Sequence, residues 1–279
     1  MSPDSATLAA PAPEARSKTR FVFSLENRLV PPIFITLILV TAHLSFGILE
    51  SYERTAVAIA TAIAAELVIA RVTYRRWPHP ASAYITGISV GILVRSPFLW
   101  PYALASLISI VSKYVLKVKG RHLWNPSNLG MSAVLFLAPS TVSLLSFQWG
   151  NNLWPMVVIW TLGSVIVWRV GRLHISATYV ASFLFFSFVR SAITGHPWLA
   201  DVAPITGPMY QLFIFFMITD PKTTVRSRWA QALVAFLVGF VEMLLRLNEV
   251  VYAPFYALFM VGPSAMLVEI YLESRQRHS

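Results

Sequence analysis

The chain alternates long apolar runs with short polar connections, and this pattern predicts a series of hydrophobic helices. Each run approaches the roughly 20 residues that a helix needs to cross a hydrocarbon core of about 30 Å. The runs lie at 29–49, 54–72, 82–94, 98–118, 126–147, 152–170, 174–193, 206–219, 229–247 and 250–271. The pattern therefore predicts an all-α integral membrane protein with about ten transmembrane helices.

The connections divide the basic residues unequally between the two faces of the predicted bundle. If residues 1–28 lie in the cytoplasm and the runs alternate in direction, 18 of the 22 lysines and arginines fall on the cytoplasmic side. Such a bias is typical of cytoplasmic loops. It predicts a multi-pass protein of a bacterial-type inner membrane with both termini cytoplasmic. Two tails, 1–28 and 273–279, then flank a single membrane domain, 29–272, with halves at 29–147 and 152–272.

The composition agrees with a chain that mostly avoids water. Hydrophobic residues make up 56% of the 279 residues and charged residues only 12%, whereas a soluble domain carries about a quarter charged residues. The net charge of +10 lies in short connections, so we expect the lipid bilayer rather than nucleic acid as the partner. The sequence contains no cysteine, which excludes Cys-ligated zinc or iron–sulfur clusters, and its six histidines show no metal-ligand spacing.

Two of the runs, 82–94 and 206–219, are too short to cross a bilayer as helices. Each begins near the same Ile-Thr-Gly tripeptide, and each is followed by a polar residue and a proline. They are the third and the eighth runs, so they occupy matching places in two halves of opposite orientation. Paired half-helices of this kind predict an inverted 5+5 repeat with a ligand site at the interface of its halves. The alternative is a chance recurrence of Thr-Gly and Pro.

The most informative stretch runs from Lys113 to Gly130, where a basic connection leads into Trp-Asn-Pro-Ser-Asn. Pro126 suits the first turn of a helix, and Asn128 and Ser127 can bond its free N–H groups. Such a helix start attracts anionic or carbonyl-rich ligands, and Trp124 offers a stacking face for an isoalloxazine or a quinone. The alternative is an ordinary capped helix beside a basic connection.

A second polar stretch follows the eighth run. Asp220 stands before a proline that blocks continuation of the helix, and residues 219–224 together offer a carboxylate, an ammonium and three hydroxyls. The alternative is an Asp-Pro turn at the cytoplasmic surface. Two carboxylates, Glu66 and Glu242, lie inside apolar runs. Intramembrane carboxylates usually face the bundle interior, where they form pairs or carry protons. We interpret Glu242 as a structural partner of Arg246, one turn away, and leave Glu66 open between a proton relay and a structural pair with Lys113 or another polar side chain.

These two stretches resemble a known family. GRHLWNPSNLG at 120–130 and FFMITDPKTT at 215–224 are similar to the Asn-Pro helix start and the Thr-Asp-Pro segment of the D subunit of Rnf electron-transport complexes and the B subunit of sodium-pumping NADH:quinone reductases. The resemblance extends over residues 82–271 and is strongest to short, stand-alone members such as those of enediyne biosynthesis clusters. It implies a ten-helix inverted repeat, a flavin redox group, electron transfer within or across the membrane, and other redox membrane or flavoprotein subunits as partners. In the larger complexes it also implies coupling to quinone and cations.

The chain departs from the full-length family members in one connection. Those members attach FMN through a hydroxyl in a long loop between the fifth and sixth helices, but here the connection 147–152 is short and has no Ser or Thr. We therefore expect no covalent FMN, and a noncovalent flavin (FMN or riboflavin) or a quinone instead. The candidate cofactor-binding residues are Lys113, Lys119, Arg121, Trp124, Asn125, Pro126, Asn128, Gly130, Thr219, Asp220, Thr223 and Thr224, with Glu66 as a candidate proton relay.

Three functions fit these residues. The first is a membrane electron-transport subunit, in which the candidate basic side chains stabilise the reduced, anionic form of a cofactor. The second is a small-molecule transporter or channel-like protein, because inverted repeats with half-helices also build carriers, and its cargo could be a biosynthetic product. The third is a scaffold that places a flavoprotein on the membrane. A bound chromophore would distinguish the first from the other two.

Overall fold

The computed structural model describes residues 30–47, 49, 51–145 and 154–276. Helices make up most of it, with four two-residue strands in the connections. In chain order the elements are α1 (Val30–Phe46), α2 (Tyr52–Tyr74), α3 (Ala81–Leu93), β1 (Val94–Arg95), α4 (Trp100–Val115), β2 (Lys117–Val118), β3 (Arg121–His122), α5 (Pro126–Leu137), β4 (Ser143–Leu144), α6 (Trp154–Arg169), α7 (Leu173–Thr194), α8 (Trp198–Val202), a 3₁₀ turn (Ala203–Thr206), α9 (Pro208–Leu212), a π-helical turn (Phe213–Met217), α10 (Arg228–Leu247) and α11 (Ala253–Gln276).

Each of the ten predicted apolar runs contains a helix, but the helices differ in length. Within the described residues, α2, α7, α10 and α11 are long and apolar enough to cross a membrane, and the bent segment from α8 to the π-helical turn makes a fifth if it is one span. These helices indicate a membrane protein. The predicted run 126–147 is too long, because α5 ends at Leu137 and β4 follows it, paired antiparallel with β1. The predicted tail 1–28 and the connection 147–152 lie outside the described residues.

The eighth run begins at a break between two helical segments. The helical segments Trp198–Thr206 and Pro208–Met217 meet at an angle of 63°. Pro208 has no N–H to continue a helical ladder, and Gly207 adopts an extended conformation at the break. The buried Gln211 compensates, since its Nε2 donates to the Thr206 carbonyl at 3.0 Å. The sequence did not predict α8, which precedes the break.

Small residues allow the helices to approach closely. A Cβ on Gly87 would lie 2.5 Å from the Ile59 Cα of α2, and a Cβ on Gly130 would lie 2.2 Å from the Ala105 carbonyl of α4. Helix interfaces in membrane proteins are enriched in small residues for this reason. The α5 backbone therefore lies directly against α4, and this contact fixes the helix start that carries the first motif.

The connections predicted to be cytoplasmic meet at one end of the bundle. Arg121, after α4, donates to the Thr224 carbonyl and pairs with Glu269 of α11 at 2.5 Å. Arg172, between α6 and α7, donates to the Thr224 hydroxyl at 2.8 Å. Arg226 pairs with Glu273 at 2.8 Å. Basic residues from three connections thus converge near the C-terminal end of α11.

Candidate functional site

The two polar motifs are in contact. Asn125 Nδ2 donates to Asp220 Oδ2 at 3.3 Å and to the Met217 carbonyl at 3.4 Å. Its Oδ1 accepts from the Asn128 N–H at 3.1 Å and so caps α5. The cap is therefore Asn125, and not Asn128 or Ser127 as the sequence predicted. We call the contact between the two motifs the junction, defined by Asn125, Asp220 and Thr224.

The rest of the first motif is bonded to α11 and within α5. Asn128 is buried, and its Nδ2 donates to the Phe255 carbonyl at 3.2 Å. Ser132 donates to Asn128 Oδ1 at 3.4 Å, which occupies the other end of the amide. Trp124 Nε1 donates to the Phe259 carbonyl at 3.0 Å. Pro126 lies buried in the first turn of α5. These polar atoms serve the fold and do not face an open space.

The second motif forms a compact turn at the junction. Thr219 is buried and donates to the Phe215 carbonyl at 2.7 Å. The hydroxyls of Thr223 and Thr224 both donate to the Asp220 carbonyl. Asp220 Oδ1 accepts from the Lys222 N–H at 3.0 Å. Burial raises the pKa of the Asp220 carboxyl, although the Lys222 N–H and ammonium oppose this shift.

A cavity of about 650 Å³ opens beside the junction. It lies among the C-terminal ends of α2 and α4, the start of α3 and the β2–β3 hairpin, and Lys222 reaches it from the second motif. We call it the basic cavity, and its lining residues are Glu66, Ala70, Tyr74, Arg76, Pro78, His79, Ser82, Lys113, Tyr114, Lys117, His122 and Lys222. Four cationic side chains thus face one carboxylate. Two tyrosine rings, Tyr74 and Tyr114, lie 5.9 Å apart on its wall.

The carboxylate of the basic cavity is already paired. Glu66 Oε2 accepts from Lys113 Nζ at 3.3 Å, and Glu66 Oε1 accepts from the Tyr114 hydroxyl at 2.9 Å. Lys113 also donates to the hydroxyl and the carbonyl of Ser82, at 3.2 and 3.4 Å. Both charged side chains are nearly buried. The structure thus contains the Glu66–Lys113 pair that the sequence left open, and Tyr114 is a third member.

A hairpin supplies the other basic groups. Lys119 and Gly120 both have positive φ, 50° and 78°, as the two-residue turn of a tight hairpin requires. This turn sets Lys117 opposite His122. Lys117 Nζ lies 3.5 Å from the Tyr74 hydroxyl and 5.2 Å from the centre of the Tyr114 ring. The hairpin thus fixes one ammonium and one imidazole at the cavity wall.

One ring nitrogen of His122 lacks a hydrogen-bond partner. Within the described structure its Nδ1 is buried without a hydrogen-bond partner. Burial, followed by the positive charges of Lys117 and Lys222, lowers the pKa of the imidazole to about 4. The ring is therefore neutral near neutral pH.

The structure thus separates the candidate residues from the sequence into three groups. Only Glu66 and Lys113 line the basic cavity. Lys119 is exposed at the hairpin turn, and Arg121 faces away toward Glu269. The others build the junction or the packing around it, namely Trp124, Asn125, Pro126, Asn128, Gly130, Thr219, Asp220, Thr223 and Thr224. Sequence reasoning missed Tyr74, His79, Lys117, His122 and Lys222, although the Lys-Gly turn at 119–120 could have predicted the hairpin.

The cavity has dimensions and chemistry suited to a ligand. Its volume falls within the range of about 300–1,000 Å³ typical of small-molecule sites. Tyrosine rings offer flat apolar contact, and the ammonium groups offer charge. No model of a known protein family matches the chain, and a search of curated proteins finds no match either.

Proposed function

We propose that the chain is a membrane-embedded electron-transport subunit, similar to the D subunit of Rnf complexes and the B subunit of sodium-pumping NADH:quinone reductases. It holds a noncovalent flavin or a quinone in the basic cavity. The observation that carries the proposal is the position of this cavity beside the junction where the two family-like motifs meet. Its cation-rich, tyrosine-bearing wall fits such a group.

The bound group would supply the electron-carrying chemistry, and a reduced flavin would carry negative charge near neutral pH. Lys117 and Lys222 place positive charge at the wall of the cavity. Tyr74 and Tyr114 orient a planar ring through their faces. Glu66, bonded to Tyr114 and Lys113, is placed to accept a proton at its carboxylate. Electrons reach and leave the site through other redox membrane or flavoprotein subunits.

The same proposal includes a ten-helix inverted repeat in a bacterial-type inner membrane, with both termini cytoplasmic. It is supported by the convergence of the basic connections at one end of the bundle. A second support is the helix pairing, because α2 packs on α4 in the first half as α7 packs on α10 in the second. A tyrosine–carboxylate bond joins each pair, Tyr114 to Glu66 and Tyr179 to Glu242, with the roles of the two helices exchanged.

The test is to release and identify the ligand. The protein is purified in detergent, precipitated with acid, and the supernatant and pellet are examined by absorption and mass spectrometry. We expect a flavin in the supernatant or a quinone in an organic extract, in near-stoichiometric amount. Loss of one charge in Lys222→Gln should lower the yield, whereas Lys119→Gln, an equal loss at the exposed hairpin turn, should not. A flavin retained in the pellet would overturn the noncovalent assignment, and no redox group in either fraction would overturn the electron-transport proposal.

A second candidate, a small-molecule carrier, is favoured by a pair of cavities. Besides the basic cavity, a much smaller cavity of about 10 Å³, the size of one water, lies among Arg190, Glu242 and Arg246 near the C-terminal ends of α7 and α10. In the proposed topology the C-terminal ends of α7 and α10 face the side of the membrane opposite to the basic cavity. Polar cavities toward opposite faces would give a carrier an entrance on each side of the membrane. Saturable uptake of labelled phosphate or FMN into proteoliposomes by a colourless protein would favour this candidate.

A further inference from the structure

The basic cavity carries more positive charge than its own carboxylate can balance. The Glu66 carboxylate already forms an ion pair with Lys113 and accepts a hydrogen bond from Tyr114. Among the described residues, no carboxylate pairs with the ammonium groups of Lys117 and Lys222. A lysine is a compact point charge that binds phosphate well. The unbalanced charge therefore favours an anionic ligand over a neutral one.

The position of these groups is fixed by two separate parts of the chain. The hairpin with its turn at Lys119–Gly120 sets Lys117 across from His122. Lys222 follows Asp220 in the turn of the second motif, and its N–H is held by the Asp220 carboxylate at 3.0 Å. The ammonium groups consequently approach one cavity from different elements, which suits a ligand group with several acceptor oxygens.

His122 lies on the same wall of the cavity. Its Nδ1 is a buried polar atom without a partner in the described structure, and such atoms are rare in folded proteins unless a ligand, ion or water satisfies them. A neutral imidazole donates one N–H, and an anion beside it makes protonation easier. Nδ1 itself is shielded from the cavity, but the imidazole lines the cavity together with Lys117 and Lys222, so the ring lies beside any phosphate bound there.

From these observations we infer that the basic cavity binds a phosphate group, with Lys117, Lys222 and His122 as its contacts. The Glu66–Lys113 pair stabilises the cavity wall. The inference rests on the proposed function only in taking this cavity as the ligand site, and it holds for redox-active and inert ligands alike. The phosphate could belong to a soluble phosphorylated cofactor or to the headgroup of an anionic phospholipid, since basic residues near a membrane surface attract both.

The test uses the full chain in neutral detergent and inorganic phosphate as the probe, with thermal unfolding followed as phosphate replaces chloride at constant ionic strength. We expect saturable stabilisation in the wild type. The apparent Kd should rise about fivefold or more in Lys117→Gln and in Lys222→Gln, and change less than about twofold in Lys119→Gln, because only the first two charges adjoin the site. His122→Phe, which keeps a ring but removes both nitrogens, should also weaken binding.

A second arm distinguishes the two sources of phosphate. The protein is placed in nanodiscs of phosphatidylcholine with or without phosphatidylglycerol. Competition of phosphatidylglycerol with added phosphate, lost in Lys222→Gln, assigns the site to a headgroup, whereas phosphate binding that is independent of the lipid assigns it to a soluble ligand. Equal weakening in all three lysine variants, or no saturable binding, would overturn the inference. Phosphate binding by a protein without any flavin or quinone would support the inference while the electron-transport proposal fails.

Discussion

Asn125 and Asp220, 95 positions apart in the chain, are joined by a hydrogen bond of 3.3 Å from the amide to the carboxylate. The bond connects the start of α5, in the first half, with the end of the broken eighth run, in the second half. The conspicuous polar residues of the two motifs thus bond to each other and hold the two parts of the chain together. The space for a ligand lies beside them, in a wall built from less conspicuous residues.

The junction should contribute mainly to stability. Asn125→Ala removes the α5 cap and the bond to Asp220, and loss of an N-cap alone costs about 0.5–2 kcal/mol. We therefore expect a lower unfolding midpoint in detergent. The control is Asn248→Ala, which removes an exposed amide at the end of α10 that donates to the Leu244 carbonyl, and which should change the midpoint little. Loss of ligand from Asn125→Ala at unchanged stability would instead make Asn125 a direct ligand contact.

Acid should destabilise the fold through His122. Its pKa is lowered from 6.5 to about 4 by burial and by neighbouring Lys117 and Lys222. Between about pH 6.5 and pH 4 the unfolded chain binds a proton at His122 and the folded chain does not. The free energy of unfolding therefore falls as the pH drops through this range. His122→Gln cannot be protonated, so its unfolding midpoint should fall less between about pH 7 and pH 4.5 than that of the wild type.

The raised pKa of Asp220 acts in the opposite direction, since a carboxyl that keeps its proton to higher pH favours the folded state in acid. The informative quantity is therefore the difference between wild type and His122→Gln, and not the absolute slope. Parallel pH profiles for the two proteins would contradict the assignment of a neutral, buried imidazole.

The Glu66–Lys113 pair should show strong coupling. Both side chains are largely buried, and removal of one partner of a buried pair leaves an uncompensated charge that costs about 3–5 kcal/mol. Glu66→Gln and Lys113→Met should each destabilise the protein strongly, and the double variant should be more stable than the sum of the two effects predicts.

A matched control for this pair is Arg226–Glu273, in which the arginine side chain is 64% exposed. Exposed pairs contribute about 0–1 kcal/mol, so Arg226→Ala should change the unfolding midpoint only slightly. If the Glu66 and Lys113 effects were additive, the two side chains would act separately and the pair could not hold the cavity wall.

The close contact of α5 with α4 should not tolerate a side chain. A Cβ on Gly130 would lie 2.1 Å from Ser109 Oγ and 2.2 Å from the Ala105 carbonyl, and overpacking of this kind costs about 1–3 kcal/mol. Gly130→Ala should therefore lower the unfolding midpoint. Gly262→Ala in α11, where the nearest atom, Leu258 Cδ1, lies 3.6 Å away, should be neutral or stabilising. Similar midpoints for both variants would show that the two helices can separate without loss.

Much of the helical framework could be predicted from sequence, because apolar length and charge placement act locally. The short α3 could be predicted from the length of its apolar run, whereas α8 and the bend before Pro208 could not. The α5 cap was misplaced by three residues, since Asn125 and Asn128 are both suitable caps and the tertiary contact of Asn128 with the Phe255 carbonyl decides between them. Lys117 and Lys222 could not be singled out, because their shared cavity depends on how distant connections meet.

The measurement that tests the central claim most directly is the absorption spectrum of the purified protein before and after reduction with dithionite. If the basic cavity holds a redox group, the wild type should bleach a flavin band or show a quinone-to-quinol difference in near-stoichiometric amount. Lys222→Gln should lose much of this signal, and Lys119→Gln should keep it. A correctly folded, colourless wild-type protein with no reducible absorption would contradict the account and favour a carrier or a scaffold.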